Sequence, residues 1–196
     1  MRNKRSELTR TKIVETARTL FLEKGFDATS VAEICRLSGV SNGALFHQFP
    51  VKEDVAFAVY SKVRLEYWNR VVGTMVAATD PLDGIEAAVL AAFAFMQDEP
   101  GAAAFMSDVT GSKWIESYAH SAQPVYDEVT ARGADWAIPH LQAGRLAPVT
   151  ADVFIALVSG APQWIGRMVR IGFASSTLDA IGAEMAKFVR RAFEPR

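Results

Sequence analysis

A chain of 196 residues, half of them hydrophobic, is long enough to bury a sizeable core as one large domain or two small ones. Its single cysteine, Cys35, excludes an intrachain disulfide framework and a thiolate zinc site, and suits a reducing compartment. Net charge is −1, yet nine Lys/Arg against five Asp/Glu place +4 on residues 1–52 and leave −5 on the remainder, the asymmetry expected where one end meets phosphate.

The basic start MRNKRSELTRTK is not followed by the apolar stretch of a secretory leader. The longest apolar run, Ala87 to Met96, is about half of the ~20 residues that cross a bilayer. A soluble, cytoplasmic protein is expected.

Ile13, Ala17, Leu20 and Phe21 recur at helical spacing from Ser6 to Lys24, and Gly25 follows as a C-terminal stop. Ser30 and Glu33 form a capping box for a second helix that carries Val31, Ile34, Cys35 and Leu37 inward and ends near Gly39. Then comes GVSNG, residues 39–43. Gly-x-Ser-x-Gly is the short signature of a hydrolase nucleophile elbow, which needs a strand entering the turn. The preceding AEICRLS has helical period, so Ser41 is read instead as the N-cap of a short third helix that Pro50 ends. A fourth helix runs from Val51 to about Ala77, roughly 40 Å at 1.5 Å per residue, with apolar residues on more than one face.

Beyond it, Leu82 to Asp98 reads as an alanine-rich helix, and one or two short helices cover 101–120. A helix from Pro124 to about Gly144 bends at Pro139; another, 151–172, is capped by Thr150 and interrupted by Gly160 and Pro162. Ser176 and Asp179 cap the last, striped by Leu178, Ile181, Met185, Phe188 and Val189. No segment alternates as a strand would.

Helix, glycine-containing turn, short helix is the arrangement that sets its second helix in a DNA major groove. With Leu45 inward beside Val40 and Phe49, Gly43 and His47 point nearly opposite and Ala44 and Phe46 lie on the flanks. Small residues let the helix backbone approach base edges, and Asn42 at the entry offers an amide for an adenine edge or a phosphate.

The stretch TRTKIVETARTLFLEKGFDATSVAEICRLSGVSNGALFHQFPVKEDV resembles the DNA-binding domain of TetR-type transcriptional regulators. The matching elements are the LF-x-EKGF end of helix one, the TSV start of helix two, GVS-x-G at the turn, the F-x-x-F closing helix three, and Lys52 opening helix four. The resemblance implies a homodimer held by carboxy-terminal helices that enclose a small-molecule pocket. It also implies that Thr29, Phe46, His47 and Lys52 approach phosphates. The family usually has tyrosine where this chain has Phe46, which has no hydroxyl to donate.

The expected fold is therefore all-α with about nine helices, residues 6–66 forming the helix-turn-helix domain and 67–196 an effector-binding and dimerisation domain. The DNA-binding set is Thr29, Ser41, Asn42, Gly43, Ala44, Phe46, His47 and Lys52. An apolar or aromatic effector would suit a cavity drawn from Trp68, Phe93, Met96, Phe105, Trp114, Tyr118, Tyr126, Gln163 and Trp164. The segment DVFIALVSGAPQWIGRMVRIG is apolar round most of its circumference, which an isologous contact would cover. The interface set is Phe154, Leu157, Val158, Ile165, Met168, Ile181, Met185 and Phe188. His47, His120 and His140 are far apart and no zinc or di-iron spacing occurs, so no metal or cofactor is expected. The function expected is a sequence-specific regulator, a repressor by family expectation. The alternatives are a ligand-binding dimer that no longer reads DNA and, further off, a helical enzyme.

Overall fold

The structure of the chain, a computed structural model, describes residues 2–121 and 123–195, and side chains over 4–118 and 127–195. Among the described residues there are ten α-helices, one 3₁₀ segment, one π turn and no strand. The chain forms two compact units, Met1–Arg64 with Ala104–Ala122, and Leu65–Ala103 with Gln123–Arg196.

The first unit contains α1 (Arg2–Lys24), α2 (Val31–Ser38), α3 (Asn42–Gln48), the start of α4 (Lys52–Val76), the end of α6 (Pro100–Thr110) and the 3₁₀ segment Lys113–Ser121. Ile13, Ala17, Leu20 and Phe21 of α1 are buried as their spacing predicts, and Phe21 stacks on Phe105 with ring centroids 5.4 Å apart. The helix begins at Arg2, a turn before the expected Ser6, and stops at Gly25, whose φ of 84° only glycine adopts freely. Its first turns hold the end of α3: Gln48 Nε2 donates to Ser6 Oγ at 2.7 Å, and the Arg10 guanidinium lies 4.1 Å from the Phe49 ring centroid.

Ser30 caps α2 by accepting from the Glu33 amide at 3.2 Å. Ile34 and Cys35 are buried, but Leu37 is 49% exposed, against expectation. At 100° per residue Leu37 lies 200° from Cys35, so a helix this short cannot bury both. The hydrogen bond from Lys24, helped by the Ser30 amide, holds the Glu33 carboxyl below its ordinary value of 4.5. A lowered folded value means stability present above the unfolded value and lost as pH falls through the folded one. Glu33→Gln should thus weaken the protein at neutral pH and flatten the acid limb of its stability curve below about pH 5, read by urea unfolding across pH. An unchanged acid limb would remove Glu33 from the pH response.

The second unit contains the rest of α4, α5 (Pro81–Asp98), α7 (Gln123–Gln142), α8 (Ala151–Ile155), the π turn Ala156–Gly160, α9 (Ala161–Arg170) and α10 (Leu178–Ala192). Asp80 caps α5, Thr150 caps α8, and α7 continues past Pro139. The expected interruption at Gly160 and Pro162 takes the form of a π turn between α8 and α9. Backbone angles stay right-handed helical through Gly160 and Ala161, and the chain widens into the π turn. Pro162 has no N–H for the carbonyl four residues back, and the wider turn relieves both that loss and the ring's clash. The last helix is capped by Thr177, accepting from the Ala180 amide at 3.3 Å, in place of the expected Ser176.

Alpha-helix 10 packs along α5, with α9 against both. Glycines set the approach: a Cβ on Gly182 would stand 3.0 Å from the Phe93 ring, and one on Gly84 would stand 2.7 Å from Trp136 and 2.8 Å from the Met75 carbonyl oxygen. A backbone carbonyl does not yield as a side-chain end does. Gly84→Ala should therefore destabilise by about 1–3 kcal/mol through overpacking, despite the better helix propensity of alanine. Gly133→Ala, whose Cβ meets nothing nearer than 3.8 Å, should gain up to about 1 kcal/mol. Thermal melts of the two variants shifting the same way would contradict this packing.

Candidate nucleic-acid interface

The turn between α2 and α3 is Gly39, Val40 and Ser41. Gly39 has φ 68°, a left-handed conformation that suits glycine, and its N–H bonds the Cys35 carbonyl. Ser41 Oγ accepts from the Ala44 amide at 3.3 Å, which makes it the helix cap and leaves the elbow motif without its strand. Leu45 and Phe49 are fully buried and fasten α3 to the core. Ser41, Asn42, Gly43, Phe46 and His47 are exposed and Ala44 is half-buried, as the helical angles predict.

Two nominated phosphate contacts look different in place. Thr29 is buried and donates its hydroxyl to the Gly25 carbonyl at 2.9 Å. Its one side-chain proton is thereby committed, so it has no hydrogen bond to give a phosphate. Lys52 is half-buried at the start of α4, its ammonium 4.0 Å from the Phe26 ring centroid, and burial lowers its pKa against the pull of Asp27 and Glu53. Its charge is presented from a fixed place.

The start of α4 is also pinned within this unit. Asp54 accepts from the Val51 amide at 3.1 Å and from the Tyr118 hydroxyl at 2.6 Å. Tyr118 stacks on Phe57 and meets the edge of Trp114, which packs against Phe26. Burial, with the hydrogen bond to Asp54, pushes the Tyr118 phenol up.

The nominated effector residues divide accordingly. Phe105, Trp114 and Tyr118 make these packing contacts in the first unit. In the second, Phe93 is buried against Gly182, Met96 against Gly166, and Trp68 lies edge-on to Tyr67. Trp164 is 64% exposed, which removes it from any interior set. The side chains of Tyr126 and His120 lie outside the described residues. The nominated Gln163 donates to Ser159 Oγ at 2.6 Å, and the nomination missed its two partners, Ser159 itself and Tyr67, which donates to the same oxygen at 3.0 Å beside the π turn. A tyrosine on an apolar helix face must find a partner, and that was its available signal.

Of the nominated interface residues, Val158 is fully buried within the unit and has no surface to offer a second chain. Phe154 lies edge-on to Phe193, and Leu157, Ile165, Met168, Ile181 and Met185 are half-buried. Phe188 is 60% exposed, as are Trp164 and Phe173, the latter at 76%, with Val153, Ile155 and Ile171.

A capped short helix with one face on a three-helix core and the other in solvent defines a helix-turn-helix DNA-binding domain. The family model of bacterial regulatory proteins, tetR family, matches residues 13–59 of this chain. The HTH-type transcriptional regulator LmrA of Bacillus subtilis is 33% identical over 79 residues, 40% of this chain and 42% of that protein. The HTH-type transcriptional repressor KstR2 of Mycolicibacterium smegmatis is 29% identical over 84 residues, 43% of this chain and 41% of that one. The chain thus spans about two fifths of the length of these curated relatives. The crystal structure of a TetR family transcription regulator from Marinobacter aquaeolei matches along the whole of both chains with a TM-score of 0.72 at 19% identity, a likeness of fold. Among the described residues no helix is long and apolar enough to cross a membrane.

Proposed function

We propose that the chain is a dimeric, cytoplasmic transcription regulator, a repressor whose α3 helices enter successive major grooves of a near-palindromic operator about 34 Å apart. The observation that carries this is the outward face of α3, where Asn42, Gly43, Phe46 and His47 stand free in a segment of net charge +4. The name of the mycobacterial relative supports repression. A small apolar or aromatic effector would bind within residues 67–196, where Tyr67, Ser159 and Gln163 supply a polar end beside Trp68. It would release the operator by binding better to a state in which α4 has swung, since only differential contacts couple two sites.

Affinity for the promoter region of its own gene should fall steeply with salt, with a log–log slope of about −0.9 for each phosphate neutralised. A purified protein giving no retarded complex at low salt would sink the proposal. The second reading, a ligand-binding dimer that no longer reads DNA, is favoured by the missing hydroxyl at Phe46 and the committed one at Thr29. Phe46→Tyr separates the two. A restored phosphate bond worth ~0.5–1.5 kcal/mol should tighten operator binding a few-fold per half-site, whereas a non-reader binds in neither form.

A further inference from the structure

Helix α3 has seven residues, about two turns, and isolated helices of that length do not persist in water. Ser41 caps its start, and Leu45 and Phe49 anchor one face. Its far end gets no such help from the chain that follows, since Pro50 has no N–H and the Val51 N–H goes to Asp54 at 3.1 Å. The end is met from α1 instead. Arg10 donates to the Gln48 carbonyl at 3.4 Å and lies 4.1 Å from the Phe49 ring centroid, while Gln48 Nε2 donates to Ser6 Oγ at 2.7 Å.

Ser6, Arg10, Ile13 and Ala17 stand at i, i+4, i+7 and i+11, one stripe of α1. Ile13 and Ala17 are buried in the core, and the polar half of the stripe runs on to the end of α3. Ser6 and Arg10 precede residues 13–59, which the family model matches, so on its α1 side the clasp lies outside that pattern. Gln48 is half-buried, about 60° round the helix from the buried Leu45 and about 140° from the outward Gly43. We propose that Ser6 and Arg10 are positioning residues for DNA reading, which keep the last turn of α3 formed before it meets a duplex. This rests on the regulator function proposed above. A turn that frays in the free protein must be ordered again on binding, and apparent affinity falls in proportion to the fraction of molecules in which it is formed.

The test uses the full-length protein, the operator it selects from random duplex DNA, and a random-sequence duplex of equal length, at a temperature where melting curves show every variant folded. Ser6→Ala should weaken operator binding about two- to tenfold per half-site, the worth of one hydrogen bond, and Ser6→Thr, which keeps the hydroxyl, should restore it. In a Gln48→Ala protein, Ser6→Ala should cost nothing more, since its partner is already gone. Arg10→Lys keeps the charge but loses the planar face over Phe49, and should also weaken operator binding. Affinity for the random duplex should stay as in the wild type throughout, because no phosphate contact is removed. Operator binding by Ser6→Ala equal to that of the wild type overturns the proposal, as does an undiminished loss from Ser6→Ala in the Gln48→Ala background. An equal drop on the random duplex overturns it too, since a lost phosphate contact weakens all sequences alike. A wild type that forms no complex with any duplex at low salt removes the regulator function, and this proposal with it.

Discussion

Gly43→Ala should leave the fold as stable as before, or slightly more stable, while operator affinity falls about thirtyfold or more. Glycine costs roughly 0.5–1 kcal/mol against alanine in a helix, and the added Cβ meets no atom of the chain within 4 Å. Any loss must therefore arise outside the protein. If backbone and base edges approach at Gly43, a methyl group there overpacks the contact at about 1–3 kcal/mol per half-site, and a dimer meets it twice. A melting curve paired with an operator titration measures both halves of the expectation. Unchanged affinity in a stable Gly43→Ala protein would mean that nothing approaches α3 at that point.

The same contrast explains how much of the interface could be read from residue order. Ser30, Ser41, Leu45 and Phe49 act locally: caps bond amides three residues on, and a helix seven residues long has one face to bury. For Thr29 the spacing shows where the residue lies but not where its hydroxyl goes. The hydroxyl goes to the Gly25 carbonyl, four residues back.

In the second unit the order of helices was legible and their contacts were not. Proline and glycine at 160–162 mark the interruption but not its form, which is a π turn that keeps the helical path. The segment 104–121 falls within the expected second domain, residues 67–196, and clusters with the first unit. Phe105 and Trp114 instead meet Phe21 and Phe26, residues far away in sequence, through contacts that periodicity does not encode. Trp164 sits one turn before Met168 on α9, at i and i+4, and is exposed where Met168 is half-buried.

Exposed aromatics in this part of the chain carry the second large expected effect. Trp164, Phe173 and Phe188 are each more than half exposed, the first and last on helices that pack side by side. Large apolar side chains exposed on neighbouring helices suit a partner site, and under the proposed dimer an isologous contact with a second copy would cover them. Buried aromatic anchors are worth about 2 kcal/mol or more each when truncated, and symmetry doubles every substitution. Trp164→Asp should accordingly raise the dimer dissociation constant by about a thousandfold, and the double change with Phe188→Asp should leave a monomer at micromolar concentration in sedimentation equilibrium. The monomer should still be folded, because these side chains are exposed in the single chain. Its operator affinity should drop by a further factor of about 10²–10⁴, since one half-site no longer brings the other within reach. Leu90→Asp, at an exposed leucine on α5, serves as the comparison and should keep the dimer intact. A dimer that survives both aspartates at α9 and α10 must be joined through another face, and the operator spacing expected of two α3 helices would have to be sought from that geometry instead.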